Sequence, residues 1–523
     1  MRGAPQPVVR PLPPVFSPDA SAPPPGMPAR GPLPTSPAAP ASAVNAVLTG
    51  QALQYESIRA GGNEMQLIDF ASAWRLAARQ NPTIGLARQV VEENLANLLR
   101  ASVIAVPNLN AGTNYHAHNG NLQRSSGQIL SVPEQQALYV GGGARTVAAE
   151  TIGIPAVQIF APLADVFYMP LAAQQDLNAS NFNVRATYNS ILLDVTTAYL
   201  ELIGAEASFA AYRRSELDMA AVLRPTAEFA RVGEGLNADA NRVRSAALQL
   251  RGLSQGAEGR ISVASAQLSK LLQLNPSLAL RTPAAPLALI SVVDPNDSLS
   301  SLVSIALRYR PEVGAATSEV AAADVRFRQE RIRPLLPTVG LGFSSGTFGG
   351  GSPFVTPLFG AFSGRSDFDV MALWTLQNAG AGNAAWRNQR RAQRGEATAE
   401  RTIIINQIRD EVASAKADAA AQLRAVKVAQ VRLATAEDGF RREVERSRAN
   451  LGHPIEALNM VDLLVDARQQ LVTSIVAYNE AEFRLYVAMG FPPPMAAPVA
   501  APERIDGATT EAIEGVPAPP ANR

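Results

Sequence analysis

The chain contains no cysteine. Disulfides, thiolate metal sites, cysteine nucleophiles and a lipidated N-terminal cysteine are thereby excluded. Aromatic residues are scarce at 6%, and charged residues make up 17%, against about 25% in an average soluble protein. Abundant alanine in place of rings favours helices packed closely through small side chains. The charges nearly cancel, leaving a net +1, so no electrostatic case for nucleic acid exists. No run of about 18 uninterrupted apolar residues occurs, which argues against a helical membrane span. A transmembrane β-barrel stays allowed, because alternating strands leave a weak hydropathy trace. With three histidines and no paired acid, base and nucleophile, the chain lacks the parts of an enzyme, and no cofactor is expected.

What is present is a duplication framed by proline. Residues 1–60 read as an extended Pro/Ala-rich arm and 496–523 as a similar tail. Met1 to Ala41 shows no apolar signal segment, so an exported chain is expected to start upstream or to carry a trimmed or misassigned signal. Between the arms, Phe70-x-x-Ala73-x-x-x-Ala77-x-x-x-Asn81-Pro82-x-Ile84 is echoed by Leu299-x-x-Leu302-x-x-x-Ala306-x-x-x-Arg310-Pro311-x-Val313. A second shared motif follows each proline at like distance, Pro107-Asn-Leu109-Asn-Ala111-Gly112 and Pro337-Thr-Val339-Gly-Leu341-Gly342. Two repeats, 61–289 and 290–495, are expected.

Each repeat then changes period. Leu109, Ala111, Thr113 and Tyr115 alternate, as do Val339, Leu341 and Phe343, and then Phe368, Val370, Ala372, Trp374 and Leu376, which predicts strands. The first repeat's second strand is expected within Val157–Met169, interrupted by Pro155, Pro162 and Pro170. Gly141–Gly143 and Phe348–Gly364 read as loops, and no Lys-Ser/Thr follows the glycines to make a phosphate-binding loop. Long helices follow, with heptads at Ile191, Ala198, Ala205, Tyr212 and Met219, and a return helix through Leu236, Val243, Leu250, Ala257, Ala264 and Leu271. The second copy repeats this with Ile405, Val412, Ala419, Val426, Leu433 and Phe440, then Leu464, Leu471, Tyr478 and Leu485. Gly233-Glu-Gly235 and Gly452-His-Pro454 mark the turns.

These features resemble the TolC-type outer-membrane efflux protein family across about residues 64–492. The resemblance rests on the Asn81-Pro82 opening and its echo, on Trp374-Thr-Leu-Gln-Asn-Ala-Gly380-Ala-Gly382-Asn383, on the turns at Arg231–Leu236 and Leu451–Ile455, and on the closing Tyr478–Pro492 segment. It implies a mainly α fold with a small transmembrane β part. Long coiled-coil hairpins would form an α-barrel, and four strands per chain would join a trimeric β-barrel. It further implies a homotrimer in the outer membrane that reaches into the periplasm and contacts lipid, a periplasmic adaptor (membrane fusion protein) and an inner-membrane pump. In this reading the chain is a passive exit duct for small molecules or proteins in a tripartite efflux or type I secretion system. The alternative is a periplasmic coiled-coil adaptor or scaffold without channel activity.

The same resemblance makes Glu456, Asp462 and Asp466 the candidates for a periplasmic gate, where threefold symmetry would turn one carboxylate into a ring. A solvated helix face is the plain alternative. Val232, Gly233, Leu236, Leu451 and Gly452 are the candidate adaptor-contact tips, against simple helix capping. Tyr115, Phe343, Phe368 and Trp374 are the candidate membrane-strand aromatics. His116 and His118 share a strand face, but two ligands without a nearby carboxylate make a weak metal site and no metal is expected. Arg387, Arg390, Arg391 and Arg394 suit either lipid headgroups or a solvated helix face.

Overall fold

Proline lacks an N–H and disfavours helical geometry at the residue before it. Asn81 (φ −65°, ψ 123°) and Arg310 (φ −64°, ψ 123°) accordingly take the same extended conformation, each ending one helix and opening the next. The computed structural model describes residues 65–123, 125–144, 154–283, 287–351, 362–449 and 453–494. The expected arm and tail, and the tip residues Leu451 and Gly452, lie outside these.

The first repeat runs through β1 (Met65–Leu67), α1 (Phe70–Gln80), α2 (Pro82–Ser102), β2 (Asn108–Leu109), β3 (Ala111–Gln123), β4 (Ile129–Ala144), β5 (Ile154–Pro155), β6 (Val157–Pro162), α3 (Leu163–Arg231) and α4 (Asn237–Leu272). After β7 (Ala279–Arg281), which pairs in parallel with β1, the second has α5 (Leu299–Tyr309), α6 (Pro311–Ile332), β8 (Thr338–Gly351), β9 (Ser363–Leu373), α7 (Ala381–Arg448) and α8 (Pro454–Ala488). Short polar side chains cap the openings: Asp69 accepts from the Ser72 N–H at 3.1 Å, Asn81 from Thr83 at 2.9 Å and Ser298 from Ser301 at 3.2 Å.

The heptads are buried seams. Val195, Leu202, Val243, Ala257, Val412, Val426 and Leu471 are fully buried. α3 packs with α4 through Val195, Leu202, Ile261 and Leu268, and α7 with α8 through Val426, Leu433, Leu464 and Leu471. A further cluster, Met219, Val222, Val243 and Leu250 with Val461 and Val465, joins the two repeats near the turns. α3 has 69 residues and α7 has 68, so at about 1.5 Å per residue each extends about 100 Å. Leu236, expected in the seam, instead caps α4 and is 68% exposed.

Four antiparallel lines of strand make the sheet. β3 pairs with β4, β4 and β6 both pair with β8, and β8 pairs with β9. β4 and β6 are successive parts of one line, since β8 meets β4 through Ser345–Gly351 and β6 through Thr338–Phe343. The first repeat's second strand therefore lies mainly in Ile129–Ala144. Of the Val157–Met169 stretch only Val157–Pro162 is strand, and Pro170 sits inside α3.

Gly141–Gly143 and Gly349–Gly351, expected as loops, are strand as well; residues 352–361 of the second expected loop lie outside the described residues. Gly143 is left-handed (φ 81°) at a bulge, and a Cβ on Gly350 would stand 2.3 Å from the Gln136 carbonyl oxygen, so these glycines answer both backbone bending and close strand approach. At the neighbouring Gly346 a Cβ would stand 2.5 Å from the Tyr139 hydroxyl oxygen, so the ring can lie across the strand only because that position is bare. The second repeat's last strand stops at Leu373, short of Trp374 and Leu376.

Candidate functional site

Strand alternation gives the sheet two chemically different faces. Phe343 stands opposite Phe368, Leu341 opposite Val370, Val140 opposite Thr347 and Tyr115 opposite Leu138. This face is apolar, and it is bare: Tyr115 is 58% exposed, Phe343 43% and Phe368 70%. The other face carries Asn114, His116, His118, Tyr139, Ser344, Asp367 and Asp369, together with the exposed Phe160, Met371 and Leu373 toward the helices. Three of the four expected aromatics thus share the apolar face. Trp374 lies one residue past β9, where its indole N–H donates to the Leu335 carbonyl at 3.4 Å.

The step from β9 into α7 is backbone-strained. Asn378 (φ 48°), Ala379 (φ 54°) and Gly380 (φ 92°) are consecutive left-handed residues. The Asn383 side chain holds the turn by accepting from the Gln377 N–H at 2.8 Å. A Cβ on Gly382 would meet the Asn378 side-chain oxygen at 2.8 Å, which is why glycine stands there.

At the α3–α4 turn, Gly233 (φ 82°) donates to Ala230 O at 3.3 Å and Glu234 to Phe229 O at 3.0 Å. This is the paired closure of a glycine C-cap. Capping accounts for Gly233 but not for its neighbours, because Val232 is 55% exposed and Leu236 68%.

The three acidic candidates on α8 are not equivalent. Glu456 is half-buried and faces Arg446 of α7 at 3.7 Å. Asp466 is exposed and reaches Arg432 at 3.9 Å. Asp462 is exposed one turn before Asp466, and partial burial, then the neighbouring Asp466 charge, pushes its carboxyl above the usual value.

Two arrangements were not found by sequence reasoning. Arg468, two residues beyond Asp466, is buried and donates to the Asp218 carboxylate at 2.7 Å and to Ser215 Oγ at 2.9 Å, both on α3. Its signal was available: the residue lies on the buried stripe between Leu464 and Leu471, where an arginine requires a partner. Further along α8, Asn479 and Glu482 grip the connecting segment before α5. Glu482 accepts from the Val292 and Val293 N–H groups at 2.9 and 3.1 Å, and Asn479 from Ile290 at 2.9 Å. Burial pushes the Glu482 carboxyl up. On α3, Glu206 accepts from the Thr282 N–H at 3.1 Å and is likewise raised by burial.

The remaining candidates are dispersed. Of the α7 arginines, Arg394 pairs with Asp324 at 3.5 Å and Arg390 bonds Gln393 at 2.9 Å, while Arg387 and Arg391 are exposed. His453 caps α8. His116 and His118 are half-buried on the polar face, and His118 Nε2 is buried without a hydrogen-bond partner. Among the described residues of a single chain, no three His, Asp or Glu side chains converge as metal ligands, and no helix is long and apolar enough to cross a membrane.

The sequence matches no protein-family model and no curated relative. The fold is nevertheless shared with solved structures. A membrane protein from Pseudomonas aeruginosa is similar with a TM-score of 0.67 and 18% identity, covering 81% of this chain and 93% of that one. The outer membrane protein VceC of Vibrio cholerae is similar with a TM-score of 0.64 and 15% identity, covering 80% of this chain and 96% of that one. The MtrE outer membrane channel of Neisseria gonorrhoeae, in its open state, gives 0.65 and 18%, covering 80% and 88%. With its duplicated hairpins and four strands, the chain has the fold of the TolC-type outer-membrane channels.

Proposed function

We propose that this chain is the outer-membrane exit duct of a tripartite export system, a homotrimeric passive conduit driven by a partner pump. The observation that carries the reading is the bare, largely apolar face around Tyr115, Phe343 and Phe368 on a four-strand sheet whose opposite face holds the charged and imidazole side chains. Water does not favour such a face, whereas lipid does, and open strand edges are not tolerated in lipid. Trimerisation closes the edges, and helices of about 100 Å then provide a path through the periplasm. Val232 and Leu236, exposed at a capped turn, suit docking by a periplasmic adaptor. Asp462 and Asp466, an exposed pair one turn apart on α8, are the best placed of the acidic candidates to form a carboxylate ring at the entrance.

The test is membrane fractionation of the full chain followed by planar-bilayer conductance of the purified oligomer. Outer-membrane trimers that pass ions, with cation preference reduced by Asp462→Asn, are expected. A water-soluble, non-conducting protein would overturn the duct and favour a periplasmic scaffold.

A further inference from the structure

The bare apolar face ends, toward the helices, in large exposed residues. Leu109 stands opposite Val157 and Val157 opposite Phe343, so Leu109 belongs to this face. Trp374 and Leu376 continue the alternation of Phe368, Val370 and Ala372 past the end of β9. Leu109 is 80% exposed, Trp374 60% and Leu376 67%. After the left-handed step at Asn378–Gly380 the chain enters α7, where Trp386 is exposed as well. Tryptophan bordering an apolar band marks the level at which hydrocarbon gives way to headgroups.

Past that level the charge has one sign. Residues 381–395 hold Arg387, Arg390, Arg391 and Arg394 and no Asp or Glu. Arg394 pairs with Asp324 at 3.5 Å and lies over the Phe327 ring, and Arg390 is half-buried against Gln393. Arg387 and Arg391, one turn apart, are exposed, and neither has an acidic partner among the described residues. Farther along the same helix exposed arginines do have one: Arg442 pairs with Asp438 at 2.8 Å and Arg446 with Glu443 at 2.8 Å. A face that is merely solvated explains the second pattern and not the first. We propose that Arg387 and Arg391 bind the phosphate of an anionic phospholipid in the leaflet on the helix side, with Trp386 beside it at the interface. This rests on the membrane-channel reading. Helical Cα–Cβ bonds tilt toward the N-terminus, and α7 runs away from the sheet, so both arginines lean toward the bilayer. Arg387 stands six residues after Ala381, about 9 Å from the helix start, and the headgroup layer is about 5–8 Å deep. A long apolar stem spans the difference while the guanidinium fork faces the phosphate oxygens. Two arginines without a counter-charge favour a lipid whose headgroup brings no cation of its own.

The full-length trimer is tested in two ways. In mixed phosphatidylcholine and phosphatidylglycerol vesicles, its tryptophan fluorescence is quenched by phosphatidylcholine spin-labelled on the headgroup or at the end of the acyl chain. The chain has three tryptophans and Trp74 is buried, so the difference between wild type and Trp386→Phe reports Trp386. That signal should fall more with the headgroup label, and no quenching by either label would overturn the site. Lipid-free trimer in detergent is then titrated with phosphatidylglycerol, and bound lipid is counted by native mass spectrometry. Arg387→Gln/Arg391→Gln should weaken binding about twentyfold, at about fivefold per arginine, and leave the trimer's conductance unchanged. Arg424→Gln, which removes an exposed arginine far along α7, should leave lipid binding as it is. Undiminished binding by the double variant, or equal loss in Arg424→Gln, would overturn the site and leave the channel standing. Displacement of the lipid by equimolar inorganic phosphate would overturn it too, because the bilayer would then have no part. A chain that forms no membrane trimer would overturn both readings.

Discussion

Arg468 of α8 donates to Asp218 of α3 at 2.7 Å, which ties the second repeat's hairpin to the first repeat's long helix inside the packed seam. The pair sits beside the cluster of Met219 and Val465 that joins the repeats near the turns. A buried ion pair adds little net stability, but removing one partner strands the other charge. Arg468→Met should therefore lower the unfolding free energy by about 3 kcal/mol, and adding Asp218→Asn should restore much of that loss. Chemical denaturation of the two variants and the double variant, compared as a cycle, measures the coupling; an additive double variant would show the pair to be uncoupled.

Glu482 offers a pH-dependent test. Burial outweighs its two backbone hydrogen bonds and holds the folded carboxyl above its ordinary 4.5. The folded state thus binds the proton more tightly than the unfolded chain, so this group's contribution is present at low pH and lost as pH rises through the folded value. Glu482→Gln keeps an oxygen for the Val292 and Val293 N–H groups without the charge. At pH 8 the variant should melt at or above the wild type. As pH falls toward 4.5, the wild type should gain relative to it. Parallel melting curves from pH 8 to 4.5 decide the matter, and a constant offset would contradict it.

Ala379 carries backbone strain at a left-handed φ of 54° with a Cβ present. Glycine at this position removes a penalty of about 1 kcal/mol. Ala379→Gly is expected to raise the melting temperature by about one degree in a chain of this length, and Gly380→Ala (φ 92°) to lower it. Equal and small shifts for both would mean that the turn relaxes.

Phe368 and Asn114 test which face meets lipid. Phe368→Arg on the bare apolar face should cost about 2–4 kcal/mol of membrane stability if the residue lies near the bilayer middle. Asn114→Lys, on the polar face, should be tolerated. Urea titration in lipid vesicles reads both, and equal sensitivity would refute the two-faced assignment.

Much of the architecture is legible in the residues because its causes are local. Asn81-Pro82 and Arg310-Pro311 end one helix and open the next through the extended residue before each proline, and the heptads through Val243 and Leu471 require a buried seam whatever its partner. The same logic failed at Gly141–Gly143, Gly349–Gly351 and Pro170. Glycine and proline are breakers by local propensity, but here close backbone approach between adjacent strands, as of Gly141 to Gly346 and Gly350 to Gln136, and a long packed helix outweigh that preference.

The sequence by itself determined the duplication, the alternation of the strands and the presence of long heptad helices, each set by the spacing of residues along the chain, whereas their full lengths of 69 and 68 residues came with the structure. Only the tertiary structure decided that β4 and β6 continue one strand line, that Arg468 finds Asp218 across 250 residues, and that Tyr115 and Phe368 share a bare face. Those relationships depend on register between distant segments. Register is chosen by the summed packing of whole strands and helices, which no short stretch of sequence contains.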